Sequence, residues 1–351
     1  MAAKRIAPVI ILSTGRCGST MLSDMLNRHP KVLSLSEFFT SFSIHGFFKK
    51  RLNGRAMWEM CRRPPTSFRA MLASGEINNQ IVYPFDAPQA RFSPHNVPTI
   101  LCTTLPHLTP DYESLYDELE TVIPARPEAA LADQYRFLFE WLCDRFDRSL
   151  WVERSGGSLV FGFRLIQLFP EARIVHIYRD GRDTAISMSR HQSFRTARAV
   201  THKLQRLGMR MAWTEKDPLS LPPTLSASRR FLINLFDRFA NYEKMMHQEF
   251  ALEAYGEMWT EMIQGGQACF SSLPAERFLA LRYEDMLQQP REKLRELTEF
   301  IDPSLADDAW LDETARIARP NPPKYPSLDA ETRARLTRAC APGLEALGYP
   351  M

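Results

Sequence analysis

Ala7-Pro8-Val9-Ile10-Ile11-Leu12-Ser13-Thr14-Gly15-Arg16-Cys17-Gly18-Ser19-Thr20-Met21-Leu22 decides how this chain begins to fold. The apolar run Val9 to Leu12 predicts a buried strand, and Met21, Leu22, Met25 and Leu26 carry the spacing of a helix face. Between them lies a short loop of mostly small residues. Such a loop lets backbone N–H groups converge on an anion, the helix N-terminus adds partial positive charge, and Ser19 and Thr20 offer hydroxyl donors. Strand, loop and helix together predict a P-loop-like phosphate cradle. The nucleoside-triphosphatase signature requires a lysine just before its hydroxyl residue, whereas this chain has Gly18 there and its cation at Arg16. The loop therefore predicts phosphate binding and argues against ATP hydrolysis.

The chain has 351 residues, 44% hydrophobic and 24% charged, which fits one globular α/β domain with an elaborated insertion. A formal net charge of +3 is too small to point to a nucleic-acid partner. Six cysteines, at positions 17, 61, 102, 143, 269 and 340, show neither C-x-x-C nor Cys/His ligand spacing, which argues against a zinc site or a disulfide framework. A reducing compartment is expected. No apolar run reaches the roughly twenty residues that span a bilayer. Lys4 and Arg5 lead into a short apolar run without a small-residue cleavage site, so the reading is a buried first strand in a cytoplasmic protein.

Val32 to Leu35 predict a second strand, ending at Ser36-Glu37-Phe38-Phe39. Residues 40 to 126 are punctuated by Pro64, Pro65, Pro84, Pro88, Pro94, Pro98, Pro106 and Pro110, and read as an irregular insertion with one strand at Thr99 to Thr104. Such an insertion is either a substrate-facing lid or a structural cover. Downstream, a helix over Glu128 to Asp147, a strand over Leu150 to Glu153, a helix over Ser158 to Phe169 and a strand over Arg173 to Tyr178 alternate. That alternation predicts a mostly parallel central sheet flanked by helices. Thr184 to Met262 read as nearly all helical with a break at Pro218 to Pro223. A strand at Phe278 to Tyr283 and helices at Arg291 to Phe300 and Asp329 to Leu347 follow, the last stopped by Gly348.

The second informative stretch is Tyr178-Arg179-Asp180-Gly181-Arg182-Asp183-Thr184-Ala185-Ile186-Ser187. Arg179 leaves the carboxyl end of a strand and Ser187 lies about one turn into the next helix, so both can reach one phosphate beside the sheet. The planar fork of arginine suits bidentate phosphate binding. The alternative is a salt-bridged turn in which Asp180 and Asp183 neutralise Arg179 and Arg182.

Taken in order, these segments resemble the sulfotransferase family that uses 3′-phosphoadenosine 5′-phosphosulfate (PAPS) as donor. Thr14-Gly15-Arg16-Cys17-Gly18-Ser19-Thr20 is similar to that family's 5′-phosphosulfate loop, and Arg179 through Ser187 to its 3′-phosphate motif. Arg282-Tyr283-Glu284-Asp285-Met286, followed by Pro290 and an amphipathic helix, is similar to its late R-Y-E-D-L segment. The resemblance runs from about residue 7 to the C-terminus and leaves 40 to 126 unmatched. It implies a single sulfotransferase domain over residues 1–351 on a P-loop-like α/β fold. It also implies transfer of a sulfuryl group from PAPS to a hydroxyl or amine of a small-molecule acceptor, leaving adenosine 3′,5′-bisphosphate, with no metal required.

The same resemblance assigns residues. Thr14 to Thr20, Arg179, Ser187, Tyr283 and Lys324 fall where the family binds the donor, with a solvated loop lysine as the alternative for Lys324. Glu37, twenty-one residues after Arg16 and just ahead of Phe38-Phe39, matches members that use a glutamate as general base. A base is needed because the acceptor hydroxyl loses its proton as it attacks sulfur. His107 is the second candidate, in Thr104-Leu105-Pro106-His107-Leu108, which resembles a K-T-H-L-P stretch in shifted order. The alternatives are a strand-end carboxylate paired with an arginine for Glu37 and a loop histidine for His107. Arg16 would neutralise charge on the departing phosphate, and Arg154 stands where the family often has a second cation, with Glu153 as its alternative partner. His191, one turn after Ser187, faces either the acceptor or the protein interior.

The acceptor pocket is expected from the insertion and the helical segment from about 193 to 265. Phe42, Phe47, Phe48, Trp58, Tyr83, Phe85, Met209, Met211 and Trp213 there are either core or pocket lining, and the acceptor reads as hydrophobic or glycosidic. Two other functions suit the same architecture: a P-loop kinase, marked by preference for ATP with Mg²⁺, and a non-catalytic nucleotide-binding protein.

Overall fold

A computed structural model describes residues 5–40, 42, 44–75, 81–206, 222 and 224–351. Its strands are β1 (Val9–Leu12), β2 (Val32–Ser36), β3 (Arg51–Leu52), β4 (Ala129–Ala130), β5 (Leu150–Arg154), β6 (Arg173–Tyr178) and β7 (Phe278–Arg282). Five of them form the central sheet in the order β2-β5-β1-β6-β7, and every pairing in it is parallel. β3 and β4 make a separate short antiparallel pair.

β1 is central and buried at every position. Side chains alternate across a strand, so Val9 and Ile11 join one core cluster while Ile10 and Leu12 join the opposite one. The first cluster includes Leu22, Met25 and Leu26 of the helix Ser19–Asn27 and Leu294 and Leu297 of the helix Pro290–Ile301. The second includes Leu138 and Phe139 of the helix Leu131–Arg145 and Phe163 of the helix Gly162–Leu168. A parallel sheet covered on both faces needs apolar residues facing both ways, which is why β1 and β6 read as continuous apolar runs.

From β1 the chain passes to the edge strand β2, and β5 fills the gap between them. It then crosses β1 to reach β6. Connections on the two sides of β1 thus run in opposite directions, and the carboxyl ends of β1, β5 and β6 border the crevice that such a switch point creates.

The insertion departs from its expected irregularity. It contains the helices Gly54–Arg62, Thr66–Ala73 and Tyr112–Val122, and the strand expected at Thr99 to Thr104 is two short helices, Thr99–Cys102 and Thr104–Leu108. Thr99–Cys102 is buried at every position, and a short apolar run buried all round carries no period that separates strand from helix. Pro65 and Pro98 occupy N-cap positions, where a missing N–H breaks no helical hydrogen bond. Phe42, Phe47, Phe48, Trp58 and Tyr83 belong to the same core cluster as Ile10 and Leu12, with Phe85 packed against it, so the insertion covers one face of the sheet.

The helices Gly181–Ser189, Gln192–Arg206, Ala227–Phe239 and Leu252–Phe270 bear out the helical reading of the later segment. Met209, Met211, Trp213 and Pro218 lie outside the described residues. The last helix, Ala330–Ala346, is followed by Gly348 at φ 70°, the expected left-handed stop. All six cysteines are free and buried, and no helix among the described residues is long and apolar enough to cross a membrane.

Because Ile11 sits wholly buried in the central strand, Ile11→Val should cost about 0.5–1.5 kcal/mol of stability and Ile11→Ala about 2–5 kcal/mol. Denaturant midpoints check this, and equal small losses for both would contradict a packed central strand.

Candidate active site

The carboxyl end of β1 runs into Gly15, Arg16 and Gly18, whose φ angles of 74°, 59° and 84° are all left-handed. Left-handed residues in succession turn neighbouring N–H groups toward one concavity, which is how short loops hold anions. Glycine is required at position 18 for a second reason: a Cβ there would lie 2.2 Å from Cδ2 of Tyr283. Gly18 also caps the helix Ser19–Asn27 without any side-chain hydrogen bond, so first-turn N–H groups remain for ligand or water.

This loop forms one wall of a cleft of about 370 Å³. Arg16, Arg179 and Lys324 line it against a single lining carboxylate, Asp183, among the described residues. Arg16 Nε donates to Ser187 Oγ at 3.0 Å, which ties the loop to the helix Gly181–Ser189. Arg179, 8% exposed, lies 5.0 Å from the Tyr283 ring centre and 3.6 Å from Asp183. Asp183 Oδ1 accepts the backbone N–H groups of Lys324 at 2.7 Å and Tyr325 at 3.0 Å, pinning the late loop to the cleft. Asn321 Nδ2 donates to the Tyr283 hydroxyl at 3.0 Å. Burial holds the Arg16 guanidinium below its ordinary range; the neighbouring Cys17 opposes this and the charge of Arg179 adds to it. Two partly desolvated cations that repel each other favour an anion between them. The salt-bridged turn exists as well and engages both arginines: Arg182 pairs with Asp180 at 2.6 Å and lies over the Tyr325 ring, and Arg179 pairs more loosely with Asp183 at 3.6 Å while still lining the cleft.

Behind the cleft sits a buried ion pair. Glu37 follows β2 with φ 56°, a left-handed conformation that costs a non-glycine residue about 1–2 kcal/mol. Its carboxylate meets Arg154 Nη1 at the end of β5 and accepts the Gly156 N–H at 2.9 Å. Arg154 Nη2 donates to Ser36 Oγ at 2.8 Å. The two side chains are 4% and 2% exposed. Gly156 itself lines the cleft, so the pair lies directly behind that wall. The partner of Arg154 is thus Glu37 and not Glu153. Glu153 is fully buried, accepts from the Ser155 hydroxyl and the Phe39 N–H, and leaves Oε2 without a partner among the described residues. Burial, with the charge of Glu37 adding to it, pushes the Glu153 carboxyl up to about 8.

A family model described as the sulfotransferase family matches residues 8–217, and a second, described as a sulfotransferase domain, matches residues 164–320. The chain belongs to the sulfotransferase family. Solved structures similar to it include the sulfotransferase domain of the Synechococcus PCC 7002 olefin synthase, at 15% identity and TM-score 0.48, covering 100% of this chain and 98% of that one. The sulfotransferase domain from the curacin biosynthetic pathway gives 15% and 0.43, covering 99% of each chain. Sulfotransferase STF9 from Mycobacterium avium gives 16% and 0.44, covering 99% of this chain and 79% of that one. Identities this low with TM-scores under 0.5 leave the family match to carry the argument. A search of curated proteins finds no match.

In this member of the sulfotransferase family the residues expected to bind the donor or to act in catalysis do not all reach the cleft. Arg16, Gly18, Ser19, Thr20, Arg179, Ser187, Tyr283 and Lys324 line the cleft. Thr14, Gly15 and Cys17 do not; Thr14 is fully buried, and Cys17 turns its thiol into the core, 3.4 Å from the Ile177 carbonyl, so it offers the loop only backbone. Glu37 and Arg154 stand behind Gly156. His107 shares no wall with Arg16: its ring lies 3.4 Å from Ser23 Oγ and 3.9 Å from Asp24, and burial pulls it down to about 4. His191 is buried edge-on to Phe194, with both ring nitrogens lacking partners among the described residues. Sequence reasoning missed Gly156, Asn321 and the role of Asp183 as clamp. Only Asp183 left a signal, its four-residue spacing from Arg179.

The raised Glu153 carboxyl has a pH signature. Its folded value of about 8 lies above the ordinary 4.5, so the stability it contributes is complete below 4.5 and is lost as pH rises through 8. Glu153→Gln, which mimics the protonated form, should therefore gain melting temperature over wild type by a margin that widens from pH 5 to pH 8. A margin independent of pH would contradict a proton on Glu153.

Proposed function

We propose that this chain transfers a sulfuryl group from PAPS to an acceptor hydroxyl or amine and releases adenosine 3′,5′-bisphosphate. The observation that carries the reading is the convergence of the left-handed loop, Arg16, Arg179, Ser187 and Lys324 on one cleft in a chain of the sulfotransferase family. The donor has two anionic ends, and the cleft has two sets of donors to receive them. The loop from Thr14 to Thr20 takes the 5′-phosphosulfate, Arg179 and Ser187 take the 3′-phosphate, and Tyr283 with Lys324 closes the far side. Stacking of Arg179 on Tyr283 keeps its fork in one orientation, which favours bidentate binding.

In the reaction the acceptor oxygen forms its bond to sulfur as the bond from sulfur to the 5′-phosphate oxygen breaks. The acceptor proton passes to the Glu37 carboxylate, and Arg16 neutralises charge gathering on the departing phosphate. Arg154 acts through Glu37 and not on the sulfuryl group: with Gly156 N–H it holds the carboxylate in one position. The free, buried cysteines suit a cytoplasmic protein.

Calorimetric titration tests the donor assignment: adenosine 3′,5′-bisphosphate should bind, and ATP with Mg²⁺ should not. Binding of ATP alone would favour a kinase instead. Arg179→Ala should weaken the bisphosphate about 10- to 100-fold, the worth of a charged hydrogen bond, while leaving AMP, which lacks the 3′-phosphate, nearly unaffected. Equal losses would remove Arg179 from the 3′-phosphate. Glu37→Gln should cut turnover by about 10²-fold or more with bisphosphate binding intact. Because that change leaves Arg154 buried and unpaired, the double variant Glu37→Gln with Arg154→Met should regain melting temperature but not turnover. Recovered turnover would move the base elsewhere, with His107 next to be replaced.

A further inference from the structure

Exposed apolar surface in this chain is concentrated in one place. Of the six large apolar side chains well exposed to solvent among the described residues, four, Phe231, Leu232, Leu235 and Phe239, stand on the helix Ala227–Phe239. Scattered single exposures need no explanation, but four on one helix do. No residue of this helix is fully buried. It leans on the protein by its inner side only: Phe236, with Ala240 just past the helix end, packs against the cluster of Ala199, Tyr242 and Met245, and Asp237 accepts the Tyr242 hydroxyl. At about 100° per residue, Phe231, Leu235, Phe239 and Leu232 fall within one arc of about 100°, and Phe236 and Asp237 lie outside it. The helix therefore carries an outer apolar face distinct from the one it packs with.

Arginines border that face. Arg238 falls about 20° beyond one edge of the arc and Arg229 about 60° beyond the other, with Arg230 further round on the first side. The three are exposed, and Arg238 lies 5.9 Å from the Phe239 ring centre. Asp237, the one carboxylate on the helix, is turned to Tyr242 instead. An apolar arc edged by arginines matches a surface that is anionic outside and apolar just below, because long arginine stems let the guanidinium stay in the charged layer while the rings go under it. A second copy of the chain fits the face less well. Taking about 200 Å² for a fully exposed ring or large aliphatic side chain, the four expose roughly 400 Å². Each partner in a standard interface contributes about 800 Å², and two like faces would set arginine against arginine.

We propose that the helix Ala227–Phe239 docks this protein on an anionic lipid bilayer. It lies parallel to the surface, with Phe231, Leu232, Leu235 and Phe239 below the headgroups and Arg229, Arg230 and Arg238 among the lipid phosphates. A helix of 13 residues is about 20 Å long, enough to lie in the interface and too short to span the bilayer. Docking is independent of what the cleft binds.

The experiment floats the full chain on a density gradient with vesicles of phosphatidylcholine alone, or of phosphatidylcholine mixed with phosphatidylglycerol. The bound fraction should be at least about tenfold greater on the anionic vesicles, and raising NaCl from about 50 to about 500 mM should cut it severalfold, because salt screens surface attraction. Replacing the three arginines together by glutamine should abolish the preference for anionic vesicles. Phe231→Ser with Phe239→Ser should lower binding to them about tenfold or more. These side chains are exposed, so both variants should keep the wild-type melting temperature. Should either variant unfold, the wild-type comparison across lipid and salt still decides. Binding to neither vesicle, equal binding to both, or anionic binding that folded variants retain in full would overturn the proposal. In the first case, a dimer seen by light scattering and lost in the serine variant would give the face to a second copy.

Discussion

Glu37 and Arg154 cannot be separated without stranding a charge in the interior. Removing water from two ions is costly, and only close pairing with further hydrogen bonds offsets it; losing one partner of such a pair costs about 3–5 kcal/mol. Here Ser36 Oγ and the Gly156 N–H complete the arrangement. The consequence is geometric. The carboxyl ends of β2 and β5 are locked together, the chain after Glu37 is sent into the aromatic wall of a second cavity of about 190 Å³, lined by Phe39, Phe42 and Phe47, and Gly156 borders both that cavity and the cleft. The left-handed backbone at Glu37 is strain that this locking sustains, and strain of this kind gathers at functional sites.

The cleft obeys a complementary constraint. Its cations are held in place before any ligand arrives: Arg16 by Ser187, Arg179 by the Tyr283 face and Asp183, and Lys324 through backbone bonds to Asp183. The two guanidinium groups are therefore oriented at little entropic cost on binding, whereas Lys324 is fixed at its backbone. Among the described residues, one carboxylate faces three cations in the cleft, while the adjoining cavity has no charged side chain in its lining.

Legibility in the sequence followed the range of the interactions involved. β1, its loop and the helix after it lie within twenty consecutive residues, so period and turn chemistry sufficed to read them. Arg179 and Ser187 were readable for the same reason. Thr99 to Cys102 was misread as a strand because complete burial erases the period that tells strand from helix. The insertion's prolines suggested irregularity, yet two of them stand at helix starts, where proline is tolerated. Cys17 sits inside the loop motif but faces the core, a distinction no local pattern carries.

The sequence by itself determined the parallel sheet, the anion loop and the identity of the cations around it, because strand period, left-handed glycines and strand-end arginines are local consequences of side-chain type. Only the tertiary structure decided that Arg154 belongs to Glu37, that Asp183 clamps the Lys324 loop from 141 residues away, and that Phe39 and Phe194 face one cavity across Gly156. Those pairings depend on which strand ends become neighbours in the sheet. Strand order is set by burial of both sheet faces over the whole chain, and no short stretch of residues contains it.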